Sequence, residues 1–174
     1  MNKKSKGFTL LELLVVIAVI GLFAAVILAS LNSARTKSRD SKRVVDLKSL
    51  RTALEMYYDT CRQYPSTLAL ATNNGCPSGT TFGSFISVLP IDPLSGSYKY
   101  TGLGNASPLS CNSYHLGANL EDKTNQSLST DIDASAATAC SGTDFNGVAN
   151  ESACVSNCDC AASVATRYCY DIKP

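Results

Sequence analysis

Residues 8 to 31, FTLLELLVVIAVIGLFAAVILASL, contain a single ionisable side chain, Glu12, and no proline. As a helix these 24 residues would extend about 36 Å at about 1.5 Å per residue, enough to cross a hydrocarbon core of roughly 30 Å. A core helix of a soluble domain usually keeps a polar stripe, and Leu13 to Ala29 has none. The run therefore commits the N-terminal part of the chain to a membrane-resident helix. An ordinary cleaved secretory signal fits poorly. Lys3, Lys4 and Lys6 could supply its charged start, but the apolar stretch is too long, and the small residues of ASLNSA are badly spaced for cleavage.

The remaining length bounds the rest. With 174 residues, no Trp and 7% aromatics, the chain has room for one modest domain beside the span. A net charge of +1 provides no global field for drawing in nucleic acid or acidic substrates. Orientation receives two opposed signals. Three lysines precede the span and Arg35, Lys37, Arg39, Lys42 and Arg43 follow it, so charge counting puts the C-terminal side in the cytoplasm. All eight cysteines lie between Cys61 and Cys169, which suits an oxidising space outside it. The cysteines weigh more, because the five later basic residues continue a helix rather than form a short loop.

The stretch KGFTLLELLVVIAVIGLFAAV, a basic leader followed by Gly-Phe, an acid at a fixed offset and an apolar run, resembles the N-terminus of type IV prepilins and pseudopilins. The resemblance implies that a membrane peptidase and methyltransferase cuts between Gly7 and Phe8 and methylates the Phe8 amine. Gly7 suits a cut site, since the missing side chain lets a protease approach the backbone. It also gives Glu12 a role. A carboxylate at membrane depth costs about 2.5 to 3.5 kcal/mol on insertion scales, and cleavage creates an ammonium that attracts it strongly at low dielectric. Two pairings are open. Phe8 and Glu12 are four residues apart and could pair within one helix; the family likeness implies pairing with the Phe8 amine of a neighbouring copy, setting the register of a filament. Many family members carry a proline in this helix. Here Gly21 is the only comparable weak point.

Beyond the span, Val44, Leu47, Leu50, Leu54 and Tyr57 recur at three and four residues. No Gly or Pro falls between residues 22 and 64, so one helix is expected from about Phe8 to about Asp59, stopping before Tyr64-Pro65. Arg35, Arg39 and Arg43 form a row on it that reads as a solvated face beside lipid headgroups. An intersubunit contact or DNA capture is the sharper alternative, but no aromatic residues interleave as a single-strand binder requires, which argues against nucleic acid as a partner. FGSFISVLP places Phe82, Phe85, Ile86 and Leu89 at helical spacing and predicts a short amphipathic helix ended by Pro90. SYKYT and SYHLG alternate as neighbouring antiparallel strands, with Tyr98, Tyr100, Tyr114 and Leu116 on one face.

RDSKRVVDLKSLRTALEMYYDTCRQYP, LPIDPLSGSYKY and YHLGANLE resemble the heads of major pseudopilins and of pilins close to them. The implied fold is α+β: a long N-terminal helix on a small antiparallel sheet, with a disulfide-rich C-terminal region. The expected divisions are a removable leader (1–7), a membrane and filament-core helix (8–31), its amphipathic continuation (32–60), a head (61–120) and a Cys-rich region (121–174).

Residues 105–174 hold only ten Leu, Ile, Val or Phe, too few to order themselves by burial, so covalent links are expected. Cys61, Cys76, Cys111, Cys140, Cys154, Cys158, Cys160 and Cys169 read as disulfide cysteines. The last four have C-x3-C-x-C spacing and His115 is the single histidine, a poor zinc set. Cys61 to Cys76 closes a short loop worth about 3 kcal/mol in the entropic model; the other pairings cannot be read. The resemblance also suggests calcium in the loop after the hairpin, with Asp131 and Asp133 of STDIDAS as oxygen ligands; no other cofactor is implied. Three N-x-[ST] sequons, at Asn105, Asn125 and Asn150, fit chance in Ser-rich loops. No acid, base and nucleophile stand at catalytic spacing, so an enzyme is not expected.

The chain therefore reads as a structural subunit of a type IV pilus or a type II secretion pseudopilus. It would be held in the bacterial inner membrane with its head outside the cytoplasm, then polymerised into a periplasmic or extracellular filament with copies of itself and other pilins by an inner-membrane assembly platform. A minor tip subunit acting as an adhesin, DNA-uptake or cargo-binding module is the alternative.

Overall fold

The computed structural model describes residues 9–94, 96–106, 109–130, 132, 137–144 and 168–174. The chain divides into two units, Met1–Thr36 and Lys37–Pro174. Helix α1, Leu10–Cys61, supplies nearly all the described structure of the first and the spine of the second. Gly21 is its single glycine and does not interrupt it.

Within the first unit every described side chain from Thr9 to Arg35 is exposed. Within the second, Leu47, Leu50, Leu54 and Tyr57 are wholly buried and Val44, Ala53 and Cys61 nearly so. The apolar stripe is thus the seam on which the head is built. α1 stops at Arg62, which takes the left-handed conformation (φ 57°) while its N–H still donates to the Tyr58 carbonyl at 2.8 Å. Tyr64 then turns its N–H to the Cys111 carbonyl, 2.8 Å away, and Pro65 rules out a further turn of helix.

The predicted helix over FGSFISVLP is not formed. A single 3₁₀ turn, Phe82–Ser84, takes its place. Gly83 and the β-branched Ile86 and Val88 give a short helix little intrinsic support. Packing decides the outcome: Phe82 and Phe85 both set their rings edge-on against Tyr57, with centroids 5.8 Å away.

Strands β1 (Ile91–Asp92) and β2 (Gly96–Ser97) form a two-residue antiparallel pair around the Asp92-Pro93 turn. Strands β3 (Lys99–Ala106), β4 (Leu109–Leu120) and β5 (Tyr168–Ile172) form an antiparallel sheet in the order β3-β4-β5. Tyr100 pairs with Leu116 and Thr101 with His115. A bulge falls between Leu103 and Gly104. Gly104 has φ 146°, and a Cβ there would lie 2.0 Å from the Ser110 carbonyl oxygen, so the bulge requires glycine.

The hairpin lays Tyr98, Tyr114 and Leu116 on the helix stripe, as the alternation predicts. Its other face is covered as well: Thr101, Leu103, His115 and Asn119 are buried. Residues 138–140 run along the outer edge of β3, with Cys140 N–H donating to the Gly102 carbonyl (2.9 Å) and Gly104 N–H to the Thr138 carbonyl (3.0 Å). The Cys-rich region is therefore partly built into the head. It shields one sheet edge with 138–140 and extends the other with β5.

Candidate functional site

The N-terminal start of α1 carries the chemistry singled out in the sequence. Thr9 precedes the first turn and Glu12 ends it, and the two bond reciprocally. Thr9 donates its N–H (3.1 Å) and hydroxyl (3.0 Å) to Glu12 Oε2, and Glu12 N–H donates to Thr9 Oγ1 at 3.2 Å. This is a capping box, written in the sequence as T-x-x-E, that satisfies two helix N–H groups left over at any helix start. These bonds use one carboxylate oxygen. An ionised carboxyl group accepts about four hydrogen bonds, so Glu12 retains capacity for an ammonium. Gly7 and Phe8 lie outside the described residues. Below the cap, the described apolar side chains are exposed, Leu10 by 82% and Leu13 by 62%. Among the described residues, one helix is long and apolar enough to cross a membrane, and none of its apolar window is buried.

A second polar centre, which the sequence reading missed, joins the head's elements. Arg43 is wholly buried and binds three carboxylates. Its Nε and Nη2 meet Asp92, and its Nη1 donates to Asp40 and to Glu121, each at 2.7 Å. Arg39 forks onto Glu121 at 2.8 and 2.6 Å. Asp40 in turn accepts the backbone N–H groups of Glu121 and Asp122, and Asp92 accepts that of Leu94.

The arginine row is therefore not a solvated face. Arg35 is exposed, but Arg39, partly exposed, and Arg43, buried, are both paired with carboxylates of the head. Burial opposes charge on Arg43, yet its bonds to Asp92, Glu121 and Asp40 outweigh it and hold the guanidinium more firmly charged than usual. Bonding from Arg39, opposed by burial and aided by Arg43, lowers Glu121 to about 2. The missed signal was positional. Arg43 lies four residues before Leu47 and seven before Leu50, on the stripe itself, where a charge must find partners.

Two disulfides link described residues, Cys61–Cys76 and Cys111–Cys140, and Cys169 is disulfide-bonded as well. Cys154, Cys158 and Cys160 lie outside the described residues, as do the calcium candidates Asp131 and Asp133. Among the described residues no group of three or more His, Cys, Asp or Glu could hold a metal ion.

Comparison with known proteins assigns the chain. A family model described as the prokaryotic N-terminal methylation motif matches residues 2–28, and one described as type II secretion system, protein G, matches residues 30–134. The chain belongs to the type II secretion system protein G family. It is 33% identical over 109 residues to the type II secretion system core protein G of Vibrio cholerae, covering 59% of this chain and 75% of that protein. Against the core protein G of Pseudomonas aeruginosa it is 29% identical over 124 residues, covering 67% and 86%. With that of Klebsiella pneumoniae it shares 31% over 109 residues, covering 59% and 78%. No solved structure matches. The protein G match takes in the stripe, the arginine network and the hairpin, and ends before residues 137–144 and β5. The choice between pilus and secretion pseudopilus, open in the sequence, falls to the secretion side.

Proposed function

We propose that the chain is a filament-forming structural subunit of a type II secretion system, made as a membrane-anchored precursor, cut between Gly7 and Phe8, methylated on the Phe8 amine and polymerised through its apolar helix. The N-terminal methylation motif and the exposed apolar helix fit such a precursor, and the protein G family implies assembly with other pseudopilins. The reading gives Glu12 the neighbour's Phe8 amine as partner. It also places a prepilin peptidase and methyltransferase and an inner-membrane assembly platform among the chain's partners, and the head outside the cytoplasm. Cys61–Cys76 and Cys111–Cys140 support that orientation, since such bonds persist in oxidising spaces. The tip-subunit alternative gains no support from the family match.

The observation that carries the reading is a lone carboxylate at the head of a helix whose described apolar side chains from Leu10 to Leu31 are exposed. Bundling of several copies would cover those side chains, and an added positive chain end would answer the acid. Glu12→Gln keeps Thr9 within reach of a side-chain acceptor but removes the charge. It is expected to leave membrane insertion and cleavage largely intact while abolishing sedimentable filaments; normal filaments from this variant would remove Glu12 from the mechanism. Gly7→Val should retain the leader, and a mature Phe8 terminus found by mass spectrometry in that variant would contradict the cut site.

A further inference from the structure

His115 lies in the middle of β4 and is wholly buried, as are the carboxylates on either side of it. Its Nε2 is 2.6 Å from Asp171 Oδ2 on β5, and its Nδ1 is 3.0 and 3.1 Å from the two oxygens of Asp144. Asp144 Oδ2 also accepts the N–H of Ala137. Three pieces of chain that are remote in sequence thus converge on one imidazole. Two of them, residues 137–144 and β5, lie beyond the part of the chain that matches the protein G family.

Donor counting decides what this arrangement needs. An ionised carboxylate only accepts, and a neutral imidazole carries one N–H. With a neutral ring and two ionised acids, one contact would set the bare ring nitrogen against carboxylate lone pairs in a buried site, where an unmade hydrogen bond is costly. A ring carrying both N–H protons donates to both acids. We propose that Asp144, His115 and Asp171 form a proton-loaded latch, closed over the hairpin sheet while the ring holds both N–H protons and loosened when one is released to water.

The surroundings set the range of the movement. Among the described residues, the charged side chain of β3 on this face of the sheet is Lys99, which pairs with Gly117 of β4, and Lys173 follows Ile172 just beyond the end of β5. Thr101, opposite the ring on β3, is uncharged and sits 3.5 Å from the Thr143 carbonyl. The 3₁₀ turn Gln126–Thr130 beside β5 carries no ionisable side chain. Cys111–Cys140 keeps the covering segment attached, so opening is local.

Hydrogen exchange of the full-length chain in detergent micelles from pH 5 to 9, corrected for the intrinsic pH dependence of exchange, tests the latch. Protection of residues 137–144 and 168–172 is expected to fall as pH rises, by at most about tenfold per unit for one released proton, while residues 44–57 of α1 hold theirs. Asp144→Asn offers the ring an amide N–H, so a neutral ring then fits and the pH dependence should flatten; His115→Gln should flatten it as well. Should His115→Gln fail to fold, Asp144→Asn decides alone. Nitrogen NMR of the ring should show both nitrogens protonated wherever the segments are protected. Protection in the native chain that ignores pH, a slope that survives in Asp144→Asn, or a bare ring nitrogen in the protected state would overturn the proposal.

Discussion

The two halves of α1 share a backbone conformation and little else. From Thr9 to Arg35 every described side chain is exposed. From Asp40 to Cys61, buried residues recur at three and four positions, and two of them, Asp40 and Arg43, are charged. The first half owes its helix to its own backbone hydrogen bonds, which a membrane would enforce because no water competes for them. The second half is held by what packs on it. A single helix can thus serve as an assembly surface at one end and as a domain core at the other, and substitutions should report which end they strike.

The largest effect is expected at the charged part of the seam. Arg43→Ala leaves Asp40 and Asp92 buried without their cation and should destabilise the head by about 3 to 5 kcal/mol, read as a lowered denaturation midpoint of the full chain in detergent. Leu50→Ala empties a packed site and should cost about 2 to 5 kcal/mol. The matched change Leu14→Ala, in the exposed half, should leave that midpoint where it was; an equal loss at both positions would erase the contrast between the halves.

A smaller effect is expected from acid. Glu121 is held at about 2 in the fold against an ordinary value of 4.5, so its contribution is complete above the ordinary value and is lost as pH falls from there toward about 2. The native head should therefore lose stability through that window more steeply than Glu121→Gln. Thr9→Ala should have the smallest effect. It removes part of the capping box and should fray the first turn, seen as faster amide exchange at residues 10–13, with the head unaffected.

Much of this protein can be read from local pattern. A run without a polar stripe, one acid beside a Gly-Phe junction, the spacing from Val44 to Tyr57 and the alternation of SYKYT and SYHLG each depend on residues close in sequence; the long helix, the buried stripe and the hairpin appear in the structure. T-x-x-E is equally local, and it forms the cap of α1. The rest was decided by tertiary structure. Asp92 and Glu121 lie 49 and 78 residues from Arg43, β5 joins the sheet from the far end of the chain, and Phe82 and Phe85 follow Tyr57 rather than their own helical spacing. Periodicity reports which way a side chain faces, but a buried charge or an open strand edge is satisfied by whichever distant residue the fold brings to it.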